Sequence, residues 1–444
     1  MSSDRIQGQG IGPLELQGVG MLRRVFPMLA VLASSGTQRD KAGNRQLLFS
    51  QYAGLILVGL FNPILGSSRA LVAASGLKNV RKLTGGKKVS LGSFSEATSV
   101  FEPHRLEGLV KQLRGQVKHQ KHLQRCLNTG RIGDVPQELA ERLVAVDGSV
   151  LTALPQVVGR LGAVKKGQWK LHGQVRVLDR TLIESSITKE PSTGKHAERE
   201  VLKESVLKAA VEIPGEQQSH LFLMDRGYRS ADLFNKLNAA EHDYICRLQR
   251  NDGRVLNDGR APKEPVQDPN TAAVELPPLS DAAVQAGVIA DEFITLGGKC
   301  GASKVQTDHQ VRRITLLPSE DRPNVARQGR VRKDRDAGDE FILATTLLDL
   351  PAEQVVLLYE YRWQVELFFR FLKHVLNCET LLSAKTSGVQ IQLYCAMIAA
   401  LLVALVTGNN LSKRNFEMIC LFYAGWADED ELLEAIQKQA SKPP

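Results

Sequence analysis

The six cysteines of this chain, Cys126, Cys246, Cys300, Cys378, Cys395 and Cys420, lie far apart and never form a CxxC pair. That spacing argues against a zinc site or a disulfide frame and fits reduced, structural thiols in a cytosolic protein. No GxGxxG and no HExxH occurs. Gly85-Gly86-Lys87-Lys88 lacks both the glycine five residues before Gly86 and the Ser/Thr after the lysine that a phosphate loop needs. Long apolar runs are missing too. Met1 to Gly20 holds nothing like a secretory leader, and Val25 to Ala33, behind Arg23-Arg24, is too interior and too short, so the expected location is cytoplasmic. The strongest run, Ile391 to Val406, is interrupted by Gln392 and falls short of the roughly 18 to 20 residues of a membrane span. It reads as a buried core helix, and no membrane partner is expected.

What is present is an ordinary globular composition, 43% hydrophobic over 444 residues, enough for two or three domains with real cores. The formal charge of +9 favours a polyanionic partner, nucleic acid or an anionic membrane. Residues 1–135 hold 19 Lys and Arg against 7 Asp and Glu, a local balance of +12 that exceeds the whole-chain value. This basic region reads as helical. Gln46 to Leu60, Ser67 to Lys82 and Phe101 to Leu127 space their apolar residues three to four apart, and the last brings Lys111, Arg114, Lys118, Lys121 and Arg125 near one another. A nucleic-acid-binding module and a merely solvated basic face both fit that pattern.

From Arg142 the texture turns to short strands: Leu143 to Val146, Trp169 to Leu178 and Thr181 to Ile187, then a helix over Glu198 to Val211, then a strand over His220 to Met224. A helix over Ser230 to Ala240 and a fifth strand over Tyr244 to Leu248 complete the strand and helix order of a ribonuclease H-like sheet. Its first and fourth strands are neighbours and each ends in an aspartate, Asp147 before Gly148-Ser149 and Asp225 before Arg226-Gly227-Tyr228. A lone aspartate at a strand end is usually a turn former; two at matched positions would converge. Residues 251–339 are rich in proline with scattered strand-like pieces, Phe293 to Leu296 and Arg313 to Leu317, and read as a β-rich insertion. The expected divisions are thus 1–135, a basic helical region; 136–250 and 340–410, two parts of a catalytic domain flanking the 251–339 insertion; and 411–444, a helical tail.

A strand at Phe341 to Leu347 leads to one long helix from Pro351 to about Asn377. Tyr359, Arg362, Glu366 and Lys373 stand at offsets 0, 3, 7 and 14, within an arc of roughly 60° at about 100° per residue. The rest of the helix is strongly apolar, so this polar stripe faces either a cleft or an internal ion-pair network of Arg362, Glu366 and Lys373. Trp363 borders the stripe and suits either base stacking or the core.

Tyr359, Arg362, Glu366 and Lys373, spaced without a gap, resemble the signature of the insertion-sequence-four group of DDE transposases. Val146-Asp147-Gly148-Ser149 and Met224-Asp225-Arg226-Gly227-Tyr228 resemble the group's two aspartate motifs. The likeness runs from about Ser93 to Ala400. It implies a ribonuclease H-like catalytic domain with a β-rich insertion, an N-terminal helical DNA-binding region, and cut-and-paste transposition in which transposon ends are cut through a hairpin and joined to target DNA. Asp147, Asp225 and Glu366 would be both the catalytic residues and the ligands of two Mg²⁺ or Mn²⁺ ions, since phosphoryl transfer at an all-oxygen site suits those metals. Arg362, Lys373 and Tyr359 would hold DNA phosphates, and Trp363 would stack on a displaced base. The expected partners are double-stranded DNA and a second copy assembled on it, at the bacterial nucleoid. Another ribonuclease H-like nuclease, or a copy that binds DNA without cutting it, remains an alternative.

Overall fold

The computed structural model describes residues 45–116, 136–152, 168–177, 182–189, 198–212, 219–249, 254–255, 278–297, 305–317, 340–375, 381–407 apart from 384, and 412–440, with a few residues between 25 and 32. Lys118, Lys121 and Arg125 of the basic cluster lie outside these residues, as do Cys126, Cys300 and Cys378. Cys246 and Cys395 are buried, and Cys420 is half-buried.

The N-terminal region is helical: α1 (Phe49–Leu60), α2 (Ser68–Ala74), α3 (Lys78–Thr84), α4 (Leu91–Val100) and α5 (Glu107–Gln116), with α6 (Gln137–Arg142) leading into the sheet. The continuous helix expected over Ser67 to Lys82 is split, because the chain turns at Ser75 to Leu77 around Gly76. Gly85-Gly86-Lys87-Lys88 follows α3 as a structural turn: Gly85 takes a left-handed φ of 66°, and the Gln51 amide donates to the Lys87 carbonyl at 2.6 Å.

Among the described residues, nine strands form one sheet: β1 (Leu143–Thr152), β2 (Gln168–Arg176), β3 (Leu182–Lys189), β4 (Leu221–Met224), β5 (Asp243–Leu248), β6 (Arg254–Val255), β7 (Val288–Thr295), β8 (Val311–Leu316) and β9 (Phe341–Thr345). The order is β3-β2-β1-β4-β5-β9-β8-β7-β6. β1, β4 and β5 are parallel neighbours, joined by crossover helices α7 (Glu198–Glu212) between β3 and β4 and α8 (Ala231–Ala239) between β4 and β5, while β2 and β3 run antiparallel beyond β1. This is the ribonuclease H-like order. The strands of the 251–339 stretch extend the same sheet: β8 pairs with β9, and β7 with β8. The short helix α9 (Asp281–Gln285) precedes β7.

Side-chain alternation splits the sheet into two faces. Leu143, Ala145, Leu221, Leu223 and Ile245 join a large core that includes residues of α1, α4, α5 and the long helix α12 (Thr386–Thr407). Val144, Val146, Phe222, Met224 and Tyr244 face the other way, into a smaller core with α7 and α8. The N-terminal helices therefore share one continuous core with the sheet. α12 packs against α1, α4 and α5 at its centre. It is long and apolar enough to cross a membrane, yet 78% of its most apolar window is buried inside the protein, which is why so apolar a helix suits this position. Helices α10 (Ala352–Glu360) and α11 (Trp363–Arg370) follow β9, and α13 (Lys413–Tyr423) pairs with α14 (Glu429–Ala440) at the C-terminal side.

Candidate active site

Strand β1 does not end at Asp147, as the sequence suggested; it continues to Thr152, paired with β2 throughout. What ends there is β4, whose last pair with β1 is Met224 with Val146. Asp147 thus projects where β1 passes its neighbour's end, and Asp225 is the first residue beyond β4. Both follow the odd-numbered rhythm of Leu143, Ala145, Leu221 and Leu223, which places them on the large-core face, where α11 packs on β1 and β2. Each aspartate accepts the amide of the next residue, Gly148 to Asp147 and Arg226 to Asp225, both at 2.7 Å.

The single helix expected from Pro351 onward is broken into three parts. α10 ends at Glu360; amides 361, 362, 364 and 365 then bond to carbonyls three residues back, the tighter 3₁₀ pattern. After α11 the chain widens to a π-helical turn over Phe371–Val375, which carries half-buried Lys373. The stripe counted at a constant turn angle is therefore redrawn. Arg362 sits at the tightened junction, and Glu366 in the first turn of α11.

Arg362 donates to Glu366 Oε1 at 2.6 Å, with both side chains mostly buried. Burial would lower the Arg362 pKa, but Tyr359, the Glu366 contact and the charge of Asp225 outweigh it and hold the guanidinium firmly protonated. Burial pushes the Asp147 carboxyl up to about 6; the Gly148 amide and Arg362 oppose the rise, while Glu198 and Glu366 add to it. Asp147, Asp225, Glu366 and Arg362 thus share one electrostatic neighbourhood. Among the described residues no three His, Cys, Asp or Glu side chains stand close enough to hold a metal ion as they are. Glu366 is turned onto Arg362 instead.

Tyr359, expected to hold a DNA phosphate, is engaged within the protein in this DNA-free structure. Its hydroxyl, on a side chain 8% exposed, donates to the Met224 carbonyl at 3.2 Å, so its one proton ties α10 to the residue before Asp225. Trp363 is 46% exposed with the Arg370 guanidinium 5.8 Å from its ring centre, so it lies on the surface and not in the core. Arg114, grouped with the basic cluster, donates to the Ile183 carbonyl of β3 at 2.8 Å.

Glu198 and Lys170 at the site escaped the sequence reading, and Tyr228 entered it only as the end of the second aspartate motif. Glu198, in the first turn of α7, forms an ion pair with Lys170 of β2 at 2.5 Å. Tyr228 is buried to 1% exposure, its pKa driven up by burial and by the charges of Glu198, Asp147 and Asp225. The available signal was the glycine after each aspartate, Gly148 and Gly227, since glycine next to a functional group often marks a close approach.

A family model for the transposase DDE domain matches residues 138–402. That is more than half of the chain, and the chain belongs to the DDE transposase family. A putative transposase of Sinorhizobium fredii is 37% identical over 76 residues, 17% of this chain and 21% of that protein. A probable transposase for an insertion sequence element of Geobacillus stearothermophilus is 35% identical over 85 residues, 19% of this chain and 22% of that protein. The chain spans about a fifth of the length of these relatives. A piggyBac transposase synaptic complex with hairpin DNA aligns at 10% identity and a TM-score of 0.41, covering 96% of this chain and 82% of that one.

Proposed function

We propose that this protein is a DNA transposase that cleaves transposon ends and transfers them to target DNA, with Asp147, Asp225 and Glu366 as its catalytic carboxylates. One observation carries the reading: Asp147, within β1, and Asp225, just beyond the end of the parallel neighbour β4, stand at the same level on the sheet face that α11, bearing Glu366, packs against. Three separate chain segments deliver acidic groups to one neighbourhood, where burial, with the charges of Glu198 and Glu366 added, raises the Asp147 pKa.

That donor set fits hard divalent cations. Asp147, Asp225 and Glu366 would hold two Mg²⁺ or Mn²⁺ ions, Glu366 exchanging Arg362 for metal. Bound there, the ions would activate the attacking oxygen and offset charge on the leaving one. Arg362, released from Glu366, would meet a DNA phosphate, and Lys373 on the π-helical turn another. Tyr359 positions the end of β4 through Met224. Double-stranded DNA, engaged through the basic N-terminal helices, and a second copy of the chain are the proposed partners, in the cytoplasm at the nucleoid. The domain divisions drawn from the sequence serve this reading as functional regions built on one shared core.

The test is Mg²⁺-dependent nicking of a duplex carrying the element's own ends, followed by joining to a target plasmid. Nicking without joining would point to another nuclease; salt-sensitive binding without either would point to a DNA-binding derivative.

A further inference from the structure

Gly148 and Gly227, one and two residues beyond the two aspartates, do not have the positive φ that calls for glycine. Their reason is space. A Cβ at Gly148 would lie 2.6 Å from Glu198 Oε1 and 2.5 Å from Lys170 Cε, and a Cβ at Gly227 would lie 2.7 Å from Glu198 Oε2. One carboxylate therefore rests with one oxygen against each aspartate motif. Gly148 follows the even-numbered rhythm of Val144 and Val146, and α7 packs its Leu202 and Val206 into that same small core. Glu198 thus stands behind β1, on the face opposite to the Asp147 side chain.

A second observation concerns the same spot. The Tyr228 hydroxyl is buried with no hydrogen-bond partner among the described residues, and it lies within the field of Glu198, Asp147 and Asp225. Tyr228 and Glu198 line a cavity of about 30 Å³ with Val146, His172 and Gln174, room for a water molecule.

We propose that the Glu198–Lys170 pair is a positioning strut that fixes the distance between the Asp147 and Asp225 segments. The strut rests on the functional reading above only for its consequence, the geometry of the metal-binding carboxylates. Its mechanism is steric and ionic. Lys170, on β2, holds the Glu198 head in place, and the head keeps the backbone after Asp147 from closing on the backbone after Asp225.

The test begins with a double-mutant cycle read by thermal melting of the full chain. Gly227→Ala should lower the midpoint in the wild-type background and cause no further drop in the Glu198→Ala background, because Glu198 is the neighbour its methyl would strike. Additive losses would overturn the strut. This readout needs neither metal nor DNA, so it stands even if the transposase reading fails. The second arm is Mn²⁺ binding to the DNA-free protein by titration calorimetry. Supporting residues of a metal site typically change affinity about 10- to 100-fold. Glu198→Ala should weaken Mn²⁺ by about tenfold on that scale, while Glu198→Gln, which keeps the shape and still accepts from Lys170, should stay within about threefold. Loss of Mn²⁺ binding in Glu198→Gln as complete as in Asp147→Asn would make Glu198 a ligand and overturn its assignment as a strut. If the wild-type chain binds no Mn²⁺ while the melting cycle shows coupling, the strut stands and the metal reading falls.

Discussion

Tyr359 hands its single hydroxyl proton to the carbonyl of Met224, so helix α10 is tied to the residue immediately before Asp225. A buried acceptor left without its donor costs about 1 to 3 kcal/mol. Tyr359→Phe should therefore lower stability by about that amount and slow cleavage, while the affinity for transposon-end DNA stays unchanged. A fluorescence-anisotropy titration in which Tyr359→Phe binds DNA markedly more weakly would return Tyr359 to the phosphate-binding role.

Asp147 links the site's charge to stability. Its carboxyl sits at about 6 in the folded protein against 3.8 as the ordinary value. The folded state therefore holds the proton more tightly than the unfolded state, and stability is lost as pH rises between those two values. Asp147→Asn removes the penalty: it should melt higher than wild type at pH 7.5, with no such gain below pH 4. Mn²⁺ should raise the wild-type melting temperature at pH 7.5 and leave the Asp147→Asn variant nearly unmoved. A variant that melts lower than wild type at pH 7.5 would show that Asp147 is structural.

The proline-rich stretch affects the site through Arg312 of β8. Its guanidinium is 2% exposed, pairs with Asp291 of β7 at 2.6 Å, and donates to the carbonyls of Leu347, Leu348 and Leu350 in the loop that launches α10. Removing one partner of a buried ion pair costs about 3 to 5 kcal/mol. Asp291→Asn should show a loss on that scale in urea unfolding and should disorder the loop before α10. A loss below about 1 kcal/mol would mean the loop holds itself.

Much of this was legible in the sequence because period-two alternation and turn residues mark strands: the start of β1, β2 to β5 and both crossover helices fell within a few residues of their expected places. The extent of β1 was not, since only pairing with β2 shows that the strand continues past Asp147. Neither was the break between Tyr361 and Trp363, because a helix drawn at constant angle has no term for 3₁₀ and π turns. Glu198 stayed hidden for another reason: in sequence it is one acidic residue in a helix's first turn, an ordinary place for one, and only the fold brings it against Gly148 and Gly227.

The surface position of Trp363 sharpens what its removal should do. With the core role excluded by its exposure, Trp363→Ala should leave the melting temperature within a degree or so of wild type. If the indole stacks on a displaced base, a contact worth about 1 to 3 kcal/mol, processing of a hairpin-ended substrate should fall while the first nick persists. Equal rates at every step would remove Trp363 from the site.

The Arg362–Glu366 ion pair leaves one choice open between a resting state and a structural brace, and Glu366→Gln decides it. In the brace reading the pair exists to neutralise two mostly buried charges, so losing the carboxylate strands Arg362 and destabilises the fold by about 3 to 5 kcal/mol. In the catalytic reading Arg362 keeps the negative field of Asp147 and Asp225 after the substitution, since its charge couples to both. The glutamine oxygen can still accept from the guanidinium, so the melting temperature should move little. Cleavage of transposon-end DNA in Mg²⁺ or Mn²⁺ should nevertheless be abolished, because the group that must exchange Arg362 for metal has lost its charge. DNA binding should persist, and chelation of divalent ions should reduce wild type to the same silence. A Glu366→Gln protein that cuts near the wild-type rate, or that unfolds, would make the pair a brace and deprive the site of its third carboxylate.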